Sequence, residues 1–344
     1  MPNATLSKPA LALLAALTLG TLSLGSAQAA NLTLSGALAQ SGAQPSVVAA
    51  RTALQNAQTE YAKAKADPLA TKVTLQKAQQ AYDLALATLK TADAQADLQI
   101  VQAYTQVVEA QDGVKVAAQA QDLALRTARV AQTQFEKGGG TQISAQVAQN
   151  QASAATQTLN TARDGLALAT SNLRSLVGSF TAVAPIPAGS VPNSVPASTV
   201  NDVVARNPAY LQAQQGVAAL QLQLNLADPV AVSASQISAL KTQLQQTQSG
   251  AQNAARGLNI QTQGLYNAYL QAVKNRGVKQ TAQQNAARQL TADESRYAKG
   301  LISQLALMGS QIAAAQAGLA SEQADDAVLT AYYALLAGGA GMAR

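Results

Sequence analysis

The chain has 344 residues, 48% hydrophobic but only 3% aromatic, and carries 23 Lys and Arg against 17 Asp and Glu. The positive charge is scattered, without the basic stripe or aromatic platforms that nucleic acid binding wants, so no nucleic-acid partner is expected. Cys and His are both absent, which removes disulfides, thiolate chemistry, a lipid-acceptor cysteine, and the commonest general base and metal ligand. Carboxylates do not recur in pairs at a convincing catalytic spacing, so the expectation is no enzyme, no metal site and no cofactor.

Residues 1–29 read as a signal peptide. Lys8 supplies a positive start, Ala10 to Leu24 an apolar run, and Ala27-Gln28-Ala29 a small-residue cleavage site. The run is shorter than the roughly 20 residues of a membrane span. With Lys8 removed, 22 basic residues face 17 acidic ones and the net charge is +5.

Ser35 is placed to cap a brief helix through Gln40, and Pro45 starts the next one at its first turn. That helix, rich in Ala and Gln, ends at Asp67-Pro68. From Thr71 to Phe135 there is no Pro and a single Gly, Gly113. Positions alternating by four and three, from Tyr82 through Ile100 and Val107 to Phe135, are apolar at fourteen of sixteen places. A 3.5-residue repeat implies a left-handed coiled coil. Sixty-five residues make a rod of roughly 97 Å.

Gly138 stops that helix, and Thr141 caps a returning one that runs to Val177. Gly178 ends it. Pro185, Pro187, Pro192 and Pro196 exclude a helix from the next stretch, and Ser198 is placed to cap a short turn through Arg206. The pattern then repeats. A helix from Pro208 stops at Asp228-Pro229, a long one runs from about Ser233 to Tyr297, Gly300 makes a second tip, and Ser303 caps a return to about Leu336. The two tips lie 162 residues apart, as do Tyr104 and Tyr266. This is an internal duplication. Expected boundaries are a first helical repeat over 30–178, a Pro-rich linker and short helix over 179–206, a second repeat over 207–338, and a flexible tail over 339–344. The fold class is all-α: long antiparallel coiled-coil hairpins in two tandem repeats. In each, the short and returning helices stack end to end beside the long one.

Phe135-x-x-Gly138-x-x-Thr141 and Arg296-Tyr297-x-x-Gly300-x-x-Ser303 resemble the periplasmic tip motif of the TolC family of outer-membrane export channels. The openings around Leu32 to Pro45 and Val203 to Ala209, and the endings at Leu176 to Gly178 and Leu335-Leu336, are also similar to that family. The resemblance implies a homotrimer whose twelve helical columns form a hollow cylinder, with tips facing a periplasmic adaptor and an inner-membrane pump. It implies an exported protein of the periplasm and cell envelope, associated with the outer membrane, that serves efflux or type I secretion as a passive conduit. Lys137, Gly138, Thr141, Lys299, Gly300 and Ser303 become the adaptor-facing tips. Family tips carry an acidic residue three places after the Thr or Ser, where this chain has Ser144 and Ala306.

The larger departure is at the other end. The family inserts two membrane strands between the short and long helices of each half. Here Asp67, Pro68, Asp228 and Pro229 sit in five-residue turns too short for two strands, so a TolC-like helical barrel without a membrane β-barrel is expected. A separate outer-membrane protein would then be needed. The same features suit a non-conducting exported coiled-coil scaffold or spacer of the cell envelope. Lys137 and Lys299 are equally read as cations favouring a helix C-terminus. Gly250, Gly257 and Gly264, seven apart on the second long helix, read as poorly specified surface.

Overall fold

The structure, a computed structural model, describes residues 31–187, 190–228 and 232–338. The segment read as a signal peptide, Pro229 and the expected tail lie outside the described residues. Among these residues eight α-helices follow in order: α1 Leu34–Leu38, α2 Pro45–Ala66, α3 Lys72–Glu136, α4 Gln142–Val177, α5 Ser198–Ala205, α6 Pro208–Leu226, α7 Ala234–Ala298 and α8 Gln304–Leu336. Among the described residues there is no β-strand; a single parallel bridge joins Leu32 to Val183.

The two long helices, α3 and α7, each have 65 residues. Their starts are fixed by side chains: Thr71 Oγ1 accepts from the Thr74 amide, and Ser233 forms a reciprocal capping box with Gln236. The chain makes four columns. α3 is flanked on one side by α4 and α2 and on the other by α8 and α6, while α7 packs on α8 and α6. The broken columns are joined by duplicated contacts. Gln44 Nε2 donates to the Leu176 carbonyl at 2.6 Å, and Arg206 Nη2 donates to the Leu336 carbonyl at 3.0 Å. Gln44 and Arg206 are themselves 162 residues apart. α3 and α8 run antiparallel, since Leu98 shares a cluster with Leu335 while Asp112 meets Glu322. Both glycine tips therefore lie at one end of the layer, and the turn at Asp67 lies at the other.

The core sits halfway along α3. Ala96, Ile100, Ala103 and Val107 are buried, as the heptad stripe predicts. Leu98, Val101, Tyr104 and Val108 are buried too, so this part of the helix is covered nearly all round. One cluster joins Ile100, Val101, Tyr104 and Val107 to Leu34, Leu173, Phe180 and Leu329. The stripe does not run to the tip as expected: Phe135 is exposed.

Two expected caps are corrected. α1 is capped by Thr33, whose Oγ1 accepts from the Gly36 amide at 3.1 Å, rather than by Ser35. Starting two residues earlier places Leu34 and Ala37 on one face, and both are buried. Ser198 is the first helical residue of α5; Ala197 holds the cap position and no side chain caps it. Here Val200, Val203 and Val204 set the helix by burial.

Candidate functional site: helix tips, turns and belt

At the first tip, Gly138 has φ 75°, the left-handed region where a side chain is strained. Its amide donates to the Phe135 carbonyl at 2.9 Å, and the Gly139 amide reaches back to Gln134 at 2.9 Å. This pair of bonds is a Schellman motif. Thr141 then caps α4, its Oγ1 accepting from the Ser144 amide at 3.1 Å while Ser144 Oγ accepts from the Thr141 amide at 3.2 Å. Ser144 thus holds the place of an acidic residue and completes the capping box.

The second tip repeats the geometry. Gly300 has φ 69°, its amide donating to Tyr297 at 2.8 Å and the Leu301 amide to Arg296 at 2.9 Å. Ser303 Oγ accepts from the Ala306 amide at 3.2 Å. Lys137 and Lys299 occupy the C-cap positions, and neither forms an ion pair among the described residues. Large apolar side chains stand out beside them: Ile143 is 77% and Leu301 70% exposed.

The tips differ about two turns further in. On the second hairpin Asp293 is buried and accepts from Ser310 Oγ at 2.7 Å, Gln289 Nε2 at 3.0 Å and Arg296 Nη1 at 3.2 Å. The Ser310 bond, then Gln289 and the nearby Arg296, hold its carboxyl below the usual range. Ala131 and Ala148 stand at the corresponding first-hairpin places. A pattern search at tip spacing misses Asp293; its signal is an Asp facing a Ser across an otherwise Ala-lined seam.

At the far end, the residues between α2 and α3 form a tight turn. The Leu69 amide donates to Asp67 Oδ1 at 2.9 Å and the Ala70 amide to the Asp67 carbonyl at 3.1 Å. In the second half the Val232 amide donates to the Asp228 carbonyl at 2.8 Å. The structure brings each tip trio together in one turn and separates all of them from Asp67, Pro68 and Asp228 by the length of a long helix.

The linker forms a belt that sequence reasoning read only as irregular. Tyr104 OH donates to the Ala184 carbonyl at 2.6 Å, with the Leu32 carbonyl at 3.0 Å sharing it. Burial pushes the Tyr104 hydroxyl up to about 12. Tyr266 donates to the Val195 carbonyl at 3.2 Å and Tyr269 to the Pro192 carbonyl at 3.1 Å. The duplicated tyrosines thus clasp the two arms of one strap. No three His, Cys, Asp or Glu side chains converge to hold a metal ion among the described residues. No described helix is long and apolar enough to cross a membrane.

No family model and no curated protein matches the sequence. Solved structures do match the fold. The CmeC outer membrane channel of Campylobacter jejuni superposes with a TM-score of 0.63 at 10% identity, over 89% of this chain and 85% of that one. The outer membrane protein VceC of Vibrio cholerae gives 0.59 at 15% identity, over 87% and 95%. The MtrE outer membrane channel of Neisseria gonorrhoeae gives 0.51 at 14%, over 89% of each. The chain has the helical fold of TolC-type channels, without a β-strand among its described residues.

Proposed function

We propose that the protein is a TolC-like tunnel component of an efflux or type I secretion system, a passive conduit in the cell envelope. The observation that carries the reading is a layer of four columns, open at both edges, whose fold matches outer-membrane channels across nearly its whole length. One edge is the α4–α2 column, with Leu168 exposed; the other is α7, with Ile260 and Val278 exposed. Joining unlike edges is a heterologous contact, which closes into a ring when the rotation allows. Three chains give twelve columns. In this reading the tips at Lys137, Gly138, Thr141, Lys299, Gly300 and Ser303 dock a periplasmic adaptor and an inner-membrane pump, with Phe135, Ile143, Tyr297 and Leu301 as the apolar contacts.

One observation favours a second reading. The Asp67 turn closes within five residues, where a channel's membrane strands are expected, and Leu69 at its apex is 86% exposed. A spacer or scaffold of the envelope needs no barrel there. The conduit reading instead needs a separate outer-membrane protein seated on that end. Electron microscopy of the purified protein separates the two: class averages with a hollow centre agree with the conduit, and a solid bundle leaves the scaffold. Fractionation of the full-length chain in a two-membrane bacterium tests envelope localisation, and recovery in the cytoplasm would overturn it.

A further inference from the structure

We propose that the acidic cavity between α3 and α8, under the linker, is a binding site for an aliphatic diamine or polyamine cation. The cavity is about 350 Å³, within the range of small-ligand pockets. Asp112 on α3 and Glu322, Asp325 and Asp326 on α8 line it, with Lys115 beside them. Val108, Pro185, Ile186 and Val191 form an apolar wall. Such a chamber offers carboxylates for ammonium groups and a dry surface for the methylenes between them.

Asp326 is the observation that points to a ligand. It is 4% exposed, it lines the cavity, and its Oδ2 has no hydrogen-bond partner among the described residues. A buried acceptor left unmet is costly, and a charged one more so. The other charges around it do not supply the partner. Lys115 is bound to Asp112 at 2.5 Å, and Arg276 of α7 lies 3.8 Å from Asp325, whose Oδ1 also faces Gln280 Nε2 at 3.5 Å. Glu109 of α3 adds a further negative charge near Asp326, and the linker residues lining the cavity carry none. Burial, then Glu109, Glu322 and the neighbouring aspartates, raises the Asp326 carboxyl to about 7. Burial and Asp112 raise Glu322, at the exposed rim, to about 7 as well.

The acids are not demanded by the repeat. At the tip spacing, Glu109, Asp112, Glu322 and Asp325 correspond to Gln271, Lys274, Asn160 and Arg163; Asp326 alone keeps an acid, Asp164. The same helix packing is thus built elsewhere in the chain from neutral and basic residues. A dehydrated metal ion is the poorer occupant, since it needs several oxygens converging on one point and no such group exists among the described residues. Organic ammonium groups need only separate acceptors along a slot. The site lies within one chain, on its two inner columns, so binding there can be tested whether or not the chains close into a tunnel.

The test is calorimetric titration of the full chain with 1,6-diaminohexane at pH 7, repeated in two buffers of different ionisation enthalpy. The expected result is saturable binding at one site per chain, with release of protons as the raised carboxyls ionise, and no binding of 1-hexanol. Asp326→Asn, nearly isosteric, should weaken binding about tenfold or more, the loss of one charge-assisted bond. Its melting curve reports that it is folded, and Glu322→Gln at the exposed rim gives a second variant with a smaller loss. No saturable heat, an unchanged affinity in a folded Asp326→Asn, or binding without proton release each overturns the proposal. Equal competition by magnesium ions would also overturn it, in favour of a hydrated-metal site.

Discussion

At Gly138 and Gly300 the backbone needs the left-handed region, yet an added Cβ would meet nothing within 4 Å at either place. Any penalty there is conformational rather than steric, on the order of 1 kcal/mol per site, and larger for a β-branched residue. Gly138→Val with Gly300→Val is therefore expected to loosen the tips and leave the core intact. Limited proteolysis should cut faster at the tips while global melting shifts little; tips as resistant as in the parent chain would refute this. Asp326 gives the opposite kind of residue. Its carboxyl is raised to about 7, so the folded chain holds more protons than the unfolded one. That contribution is present at low pH and is lost as pH climbs from about 4 to about 7. Asp326→Asn keeps a neutral polar group in place. We expect it to gain about 1–2 kcal/mol at pH 8 and almost nothing at pH 5. Denaturant melts at the two pH values check this, and an equal shift at both would sink it.

Among the elements, those with their own caps and periodicity were legible. Asp67-Pro68, Thr71, Gly138, Thr141 and Ser303 bound their helices where local chemistry puts them, and α3 and α7 carry no internal Pro. The belt was not legible, because Phe180, Val183, Val191 and Val195 have no period and are buried only through contacts with α3, α7 and α8. The same long-range burial moved the α1 start from Ser35 to Thr33. Asp293 escaped for a related reason: its partner Ser310 lies across the tip, on the returning helix. Of the expected tip residues, local chemistry sets the turn geometry, while the docking proposed for them lies beyond a single chain's contacts. A prediction belongs to the belt. Tyr104→Phe takes the buried donor from the Ala184 carbonyl, while the Leu32 carbonyl keeps the Ala184 amide; the loss should cost about 1–3 kcal/mol. The strap over 179–187 and 190–196 should then exchange its amides faster, while α4 and the tips keep their protection. Unchanged exchange in the strap would show that packing of Phe180 and Val183 alone holds it.

For the whole molecule the decisive feature is an unclosed layer. α3 is enclosed by two broken columns, but α7 has only one column beside it, that of α8 and α6, with α5 and the linker against its middle, and it buries few of its own residues. An added Cβ at Gly250, Gly257 or Gly264 meets nothing within 4 Å, so this face is not shaped for close packing inside the chain. Ile260 is 74% exposed on it, and apolar side chains standing in a row along an open edge favour association. On the proposed assembly, the α7 edge of one chain meets the α4–α2 edge of the next, and the third chain closes the ring. Sedimentation of the purified protein should then give about three times the chain mass, independent of concentration over a wide range. Ile260→Asp with Val278→Asp places charges on one edge only, and Leu168→Asp on the other. Since these side chains are exposed in the single chain, each variant should keep its helical content and its own melting transition. Each should nevertheless sediment as a monomer. A parent chain that stays monomeric at high concentration would remove the ring, and with it the conduit. Trimers that survive both edge variants would instead place the contact between copies on another face.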